Sequence, residues 1–137
     1  MKKTTRPESR KSDYNTGLAT RRRVLGDAHV TRSLRNATAF DKQFQDFITR
    51  YAWGEVWSGD GLPLATRSIV TLAILAALGR EEEFKLHLRA TRNTGATPDQ
   101  IREALFHVAV YAGVPAANTA FRLAKAVLEE MAREELR

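Results

Sequence analysis

The chain has 137 residues, 43% of them hydrophobic and 28% charged, values that suit one globular domain with a modest core. It contains no cysteine, which excludes disulfides, thiolate metal sites and thiol redox chemistry. The longest apolar run, Ile69 to Leu78, is too short to span a bilayer, and the basic N-terminus lacks the apolar segment of a signal peptide, so a cytoplasmic protein with no membrane partner is expected.

The net charge of +6 is unevenly placed: residues 1–36 hold ten Lys/Arg against three acids, so the rest of the chain is close to neutral. A nucleic-acid-binding domain would be basic throughout, and no aromatic interleaving supports such a role for the arm alone. The basic stretch reads either as a solvated arm or as a segment that folds over an anionic ligand.

Residues 1–13 are polar and without periodicity, which predicts a disordered basic arm, with the folded domain over 14–137. A short helix is expected from Thr16 to Leu25, stopped by Gly26. Residues 27–37 read as an extended connector. Thr38 looks like an N-cap, and Phe40, Phe44, Phe47, Ile48 and Tyr51 then follow helical spacing towards Gly54. Ser58-Gly59-Asp60-Gly61 is a turn by composition.

Leu62 or Pro63 opens the next helix. Its run from Ile69 to Leu78 is apolar on every face, which predicts a central helix buried all round. Gly79 ends it. A helix from Glu81 to about Asn93 follows and is closed by Gly95. Thr97-Pro98-Asp99-Gln100 is a strong helix start, with Ile101, Ala104, Leu105, Val108, Ala109 and Ala112 on one stripe. The same helix has a second apolar strip, Phe106, Val110 and Tyr111, which suits an interface with another subunit. The last helix runs from about Ala116, with Ala120, Leu123, Ala124, Val127, Leu128 and Met131 inward and a fraying tail from Glu129. No strand alternation occurs, so the fold class is all-α, a single compact domain of about six helices.

Few residues carry chemistry. Arg80, Glu83 and His87 share a helical face by their spacings of three and four, and Phe84, Leu88 and Thr91 share the adjoining apolar face. A carboxylate one turn before a half-buried imidazole can orient it as a proton donor; a surface ion pair is the plainer reading. Glu55 lies between Trp53 and Trp57, which could desolvate it into a neutral acid, or it is a solvated helix-end residue. Arg67, at the lip of an apolar helix, can serve as a carboxylate fork or be a plain surface charge. His107 reads as a core or interface histidine, and His29 is less specific still. No metal-ligand spacing, glycine-rich phosphate loop or hydrolase elbow is present in the sequence.

Several stretches together resemble the carboxymuconolactone decarboxylase family. They are Arg23-Val24-Leu25-Gly26, His29-Val30, Tyr51-Ala52-Trp53-Gly54-Glu55-Val56-Trp57-Ser58, Thr66-Arg67-Ser68, Ala76-Ala77-Leu78-Gly79-Arg80-Glu81, Leu86-His87-Leu88-Arg89-Ala90, and Val110 through Asn118. The resemblance covers nearly all of residues 14–131. It implies an alkylhydroperoxidase D-like helical fold, a homo-oligomer such as a trimer or hexamer, and a cofactor-free carboxy-lyase acting on a small lactone with two carboxylates. In the wider superfamily the signature resembles Cys-x-x-Cys-x-x-x-His; here Arg80 and Glu83 stand at the cysteine positions and His87 at the histidine. Peroxidase chemistry is thereby removed and a charged pocket left.

The resemblance then implies His87, Glu83 and Glu55 as catalytic groups, and Arg80, Arg67, Trp53, Trp57, His107 and His29 as substrate-binding ones. One departure is the loop Ser58-Gly59-Asp60-Gly61, where the family usually shows Ser-Arg-Pro-Gly. Arg67 or an arm arginine is the candidate to replace that arginine. Other readings are a related lactone hydrolase or small-acid lyase, and a non-enzymatic helical ligand-binding protein.

Overall fold

The computed structural model describes residues 7–137, with side chains from Asp13 onward. Every regular element among the described residues is helical, as the periodicity predicts. They form two compact units, one ending at Leu62 and one starting at Pro63.

The first unit contains α1 (Pro7–Leu25), α2 (Asp27–Asn36), α3 (Lys42–Ile48) and a π-helical segment, Thr49–Trp57. Of the stretch expected to be disordered, residues 1–6 lie outside the described residues, and Pro7 to Asp13 form the first turns of α1. Gly26 ends α1 with φ of 91°, a left-handed conformation that costs glycine little, and α2 begins at the next residue. The expected connector over 27–37 is therefore a helix. Its polar sequence hid this, because only Val30 is fully buried. Arg22 ties the two helices together by donating to the Asp27 carbonyl and the Thr31 hydroxyl.

The N-cap of α3 is Asp41, not the expected Thr38. The Thr38 backbone N–H donates to Asp41 Oδ1 at 2.7 Å, and the Thr38 hydroxyl accepts from the Phe40 N–H. Beyond Ile48 the hydrogen bonding widens to the π pattern, a rare arrangement over as many as nine residues. A backbone crossing accompanies it. A Cβ on Gly17 of α1 would lie 1.9 Å from the Thr49 carbonyl oxygen, and one on Gly54 would lie 2.6 Å from the Asp13 carbonyl oxygen. The two backbones approach as closely as only glycine permits.

The second unit holds α4 (Leu64–Leu78), α5 (Glu81–Thr94), α6 (Pro98–Tyr111) and α7 (Val114–Glu135). Leu72, Phe84, Leu88, Ile101, Leu105, Leu123 and Val127 are among the side chains that build its core. The start of α6 is as predicted: Thr97 and Gln100 exchange side-chain and backbone hydrogen bonds in a capping box, with Pro98 at the first helical position. Two expectations fail. Helix α4 is not buried all round: Ser68, Leu72 and Ala76 are buried, but Ile74 is 52% exposed and Val70 and Leu78 lie beside it on an open apolar face. The tail after Glu129 does not fray either. Arg89 of α5 pairs with Glu130 and Glu134, and Arg92 with Glu134 at 2.9 Å, so α7 stays helical to Glu135.

Candidate active site

Helices α4 and α5 form a hairpin closed at Gly79, whose left-handed backbone ends α4. Arg80 follows as the residue that caps α5, its carbonyl accepting from the Phe84 N–H at 2.9 Å. This turn forms one wall of a cavity of about 220 Å³. The α4 wall supplies Leu75, Ala76 and Leu78, the hairpin Arg80, Glu81 and Phe84, and α7 supplies Ala116, Thr119, Ala120 and Leu123. The lining is apolar except at the hairpin and Thr119, a composition suited to a small organic acid held by one charged end.

Glu83 and His87 continue the Arg80 stripe along α5. Glu83 is exposed and His87 half-buried, with its Nδ1 atom buried. Phe84, Leu88 and Thr91 are buried beside them, as the spacing predicts. A rise of 1.5 Å per residue puts His87 roughly 10 Å along the helix from Arg80. The stripe thus runs from a cation at the cavity to a carboxylate and an imidazole, and Glu83 and His87 do not themselves line the cavity.

Arg67 sits near the other end of α4, half-buried with its Nε atom buried. Eleven residues separate it from Leu78, about 16 Å of helix, so it does not line the cavity at Gly79. His107 is exposed rather than a core histidine; with Thr66, Ile69, Asp99, Gln100 and Glu103 it lines a separate, open groove between α4 and α6. Phe106, Val110 and Tyr111, the second apolar strip of α6, are exposed.

Trp53, Trp57, Glu55 and His29 belong to the first unit. The two indole rings stack on one another, 5.0 Å between centroids, and Trp53 is buried while Glu55 is exposed. The expected desolvation of Glu55 by flanking indoles is therefore not what the fold provides: side chains four apart align in the widened helix, and the residue between them faces away. Ser58, the first residue of the divergent loop, donates to the Trp53 carbonyl at 2.6 Å and bonds the Thr20 hydroxyl at 2.7 Å. It fastens the end of the π segment to α1.

His29 is half-buried on α2. Burial first, and then the positive charges of Arg32 and Arg21, hold its pKa below the usual histidine value. Arg21 carries no sequence signal that sets it apart. It is a buried guanidinium, and its position among Arg21, Arg22 and Arg23 gives no sign of which of the three turns inward. Among the described residues, no group of three or more His, Asp or Glu side chains could hold a metal ion. Among the described residues, no helix is long and apolar enough to cross a membrane.

Comparison with known proteins agrees with the resemblance read from the motifs. The model of the Carboxymuconolactone decarboxylase family matches residues 42–126. A protein of Acinetobacter baylyi named 4-carboxymuconolactone decarboxylase is 52% identical over 118 residues, covering 86% of this chain and 88% of its own. A Metarhizium robertsii protein named nitrosuccinic acid decarboxylase is 38% identical over 118 residues, 86% of this chain and 82% of its own. A Pseudomonas putida sequence named 4-carboxymuconolactone decarboxylase is 49% identical over 45 residues, 33% of this chain and 94% of its own. The chain belongs to the carboxymuconolactone decarboxylase family.

Proposed function

We propose that this protein is a carboxy-lyase that converts 4-carboxymuconolactone to β-ketoadipate enol-lactone and CO₂, a cytoplasmic step of protocatechuate catabolism by the β-ketoadipate pathway. The observation that carries this reading is the 52% identity to the Acinetobacter baylyi enzyme across most of both chains.

The chemistry demands little beyond placement. When the ring carboxylate leaves as CO₂, its bonding electrons pass through the ring alkene to the lactone carbonyl. The resulting dienolate is its own electron sink, and one proton returned to carbon completes the reaction without a cofactor. Arg80, at the cavity, holds the remote carboxylate by charge-assisted hydrogen bonds. His87 supplies the proton, oriented by Glu83 one turn before it. The apolar walls from α4 and α7 keep water from the departing carboxylate. The exposed strip of Phe106, Val110 and Tyr111 supports a homo-oligomer, a trimer or hexamer, as the active form.

The test is to follow CO₂ and enol-lactone from freshly generated 4-carboxymuconolactone. The parent should turn over, and His87→Ala should lose about 10²–10⁴-fold in kcat with its helix content intact. Arg80→Gln should act mainly by raising KM. Absence of turnover above the spontaneous rate would overturn the assignment. A second reading, decarboxylation of another acid with its own electron sink, is favoured by the relative named nitrosuccinic acid decarboxylase. A higher kcat/KM for nitrosuccinate than for the lactone would select it.

A further inference from the structure

Resting on the carboxy-lyase reading, we infer that the hydroxyl of Thr119 on α7 donates to the lactone carbonyl oxygen. It stabilises the charge that gathers there as CO₂ leaves, which makes Thr119 a catalytic residue.

Decarboxylation breaks the bond between the ring carbon and its carboxylate, and the electron pair ends on the lactone carbonyl oxygen. That oxygen needs a fixed donor, and a donor set among apolar walls stabilises it most. Arg80 is committed to the remote carboxylate. Glu81, the other charged group lining the cavity, only accepts as a carboxylate. Glu83 and His87 do not line it. Among the lining side chains the remaining polar group is the Thr119 hydroxyl, and the rest are leucines, alanines, Gly79 and Phe84.

Local structure places this hydroxyl and leaves it free to move. Helix α7 starts at Val114 after Gly113, whose φ of 107° turns the chain. Ala117 and Ala120 are buried against the core, which fixes the face that α7 turns inward. Thr119 is half-buried, and its neighbours on the cavity wall, Ala116 and Ala120, are small enough not to cover it. Its Oγ1 donates to the Pro115 carbonyl at 3.4 Å, longer than an ordinary O–H···O bond. That carbonyl stands where the helix's own N–H four residues on bonds it, so losing the hydroxyl contact leaves no orphaned acceptor. The hydroxyl can therefore turn to substrate at little cost. The proton stays on Thr119 throughout: the hydroxyl lends a hydrogen bond to the dienolate oxygen, and His87 protonates carbon.

Two stable probes test the hydroxyl without turnover: a saturated five-membered lactone bearing an acetate arm, and the cyclic ether acetate that lacks the ring carbonyl. NMR titrations of the full-length protein should show the lactone bound about 2–10-fold more tightly than the ether, the range of one neutral hydrogen bond. Thr119→Val, close to isosteric, should erase that difference, and Thr119→Ser should keep it. Arg80→Gln should weaken both probes alike. With 4-carboxymuconolactone, Thr119→Val should lose about 10²-fold in kcat with little change in KM, and Thr119→Ser should recover most of the loss. Equal affinity of the parent for the two probes would overturn the inference, as would a carbonyl preference that survives in Thr119→Val, or a kcat unchanged there. A parent that prefers the lactone probe yet gives no turnover defeats the carboxy-lyase reading and keeps Thr119 as the carbonyl donor of a binding site.

Discussion

The two units are held by different means. The second has an apolar core: leucines, a phenylalanine and alanines from four helices pack together, with Ser68, Thr91 and Thr94 the buried polar side chains. In the first, α3 buries no residue at all, and the principal crossing is made by backbone on backbone at Gly17 and Gly54. Its most deeply placed long side chain is a charged one, Arg21, held by a hydroxyl and an amide. Side-chain packing tolerates gradual change, since a lost methylene leaves a cavity of graded cost. A backbone crossing does not, because the first added atom already collides.

Substitutions can break this contrast. The largest effect is expected from Gly17→Ala, whose Cβ would fall 1.9 Å from a backbone oxygen: a loss of about 4 kcal/mol or more in urea unfolding, with helix content reduced. Gly61→Ala, with nothing near its Cβ, is the control and should be within about 0.5 kcal/mol of the parent. Leu88→Ala, in the second unit's core, should cost about 3 kcal/mol by the same assay, and Leu88→Met less than about 1.5. If Leu88→Ala costs more than Gly17→Ala, the contrast drawn here is wrong.

Smaller effects sharpen it. Thr97→Ala removes half of the α6 capping box and should cost about 1 kcal/mol, with faster amide exchange confined to the first turn of α6. The smallest concerns the end of α7. The hydrogen bond from Arg92, reinforced by the charges of Arg92 and Arg89, lowers the pKa of Glu134. A depressed carboxyl contributes stability above its unfolded value, and that contribution fades as pH falls through the folded one. Amide protection in the last turn of α7 should therefore decline on acidification below about pH 4.5, and Glu134→Gln should remove that dependence.

The same contrast explains what could be read in advance. In the second unit, periodicity located the starts of all four helices to within about two residues, because amphipathic packing writes its period into the sequence. Two expectations differ: an all-apolar run equally describes a helix like α4, with one face on the core and another left open, and the charged end of α7 stays helical because Arg89 and Arg92 pair with it. The first unit was less legible. Residues 27–37 are largely polar and bury only Val30 fully, so the helical spacing of Val30 and Leu34 is easily overlooked. A π segment has no residue signature, since its wider hydrogen bonding depends on what packs against it. Of the candidate site, the Arg80, Glu83 and His87 stripe followed from spacing alone. The position of Glu55 outside the indole stack did not, because it depends on the π register, and the burial of Arg21 depends on which face of α1 meets Thr49.

The glycine crossing also says something about sequence variation. Where one backbone oxygen occupies the place of a side chain, contact is blind to the chemistry of its surroundings, and no compensating change nearby can make room. Positions 17 and 54 should therefore be fixed across functional variants of this chain even where every neighbour drifts. A selection experiment on randomised α1 and π segments would show one invariant column in each, at positions 17 and 54, placed there by geometry and not by any role in the reaction.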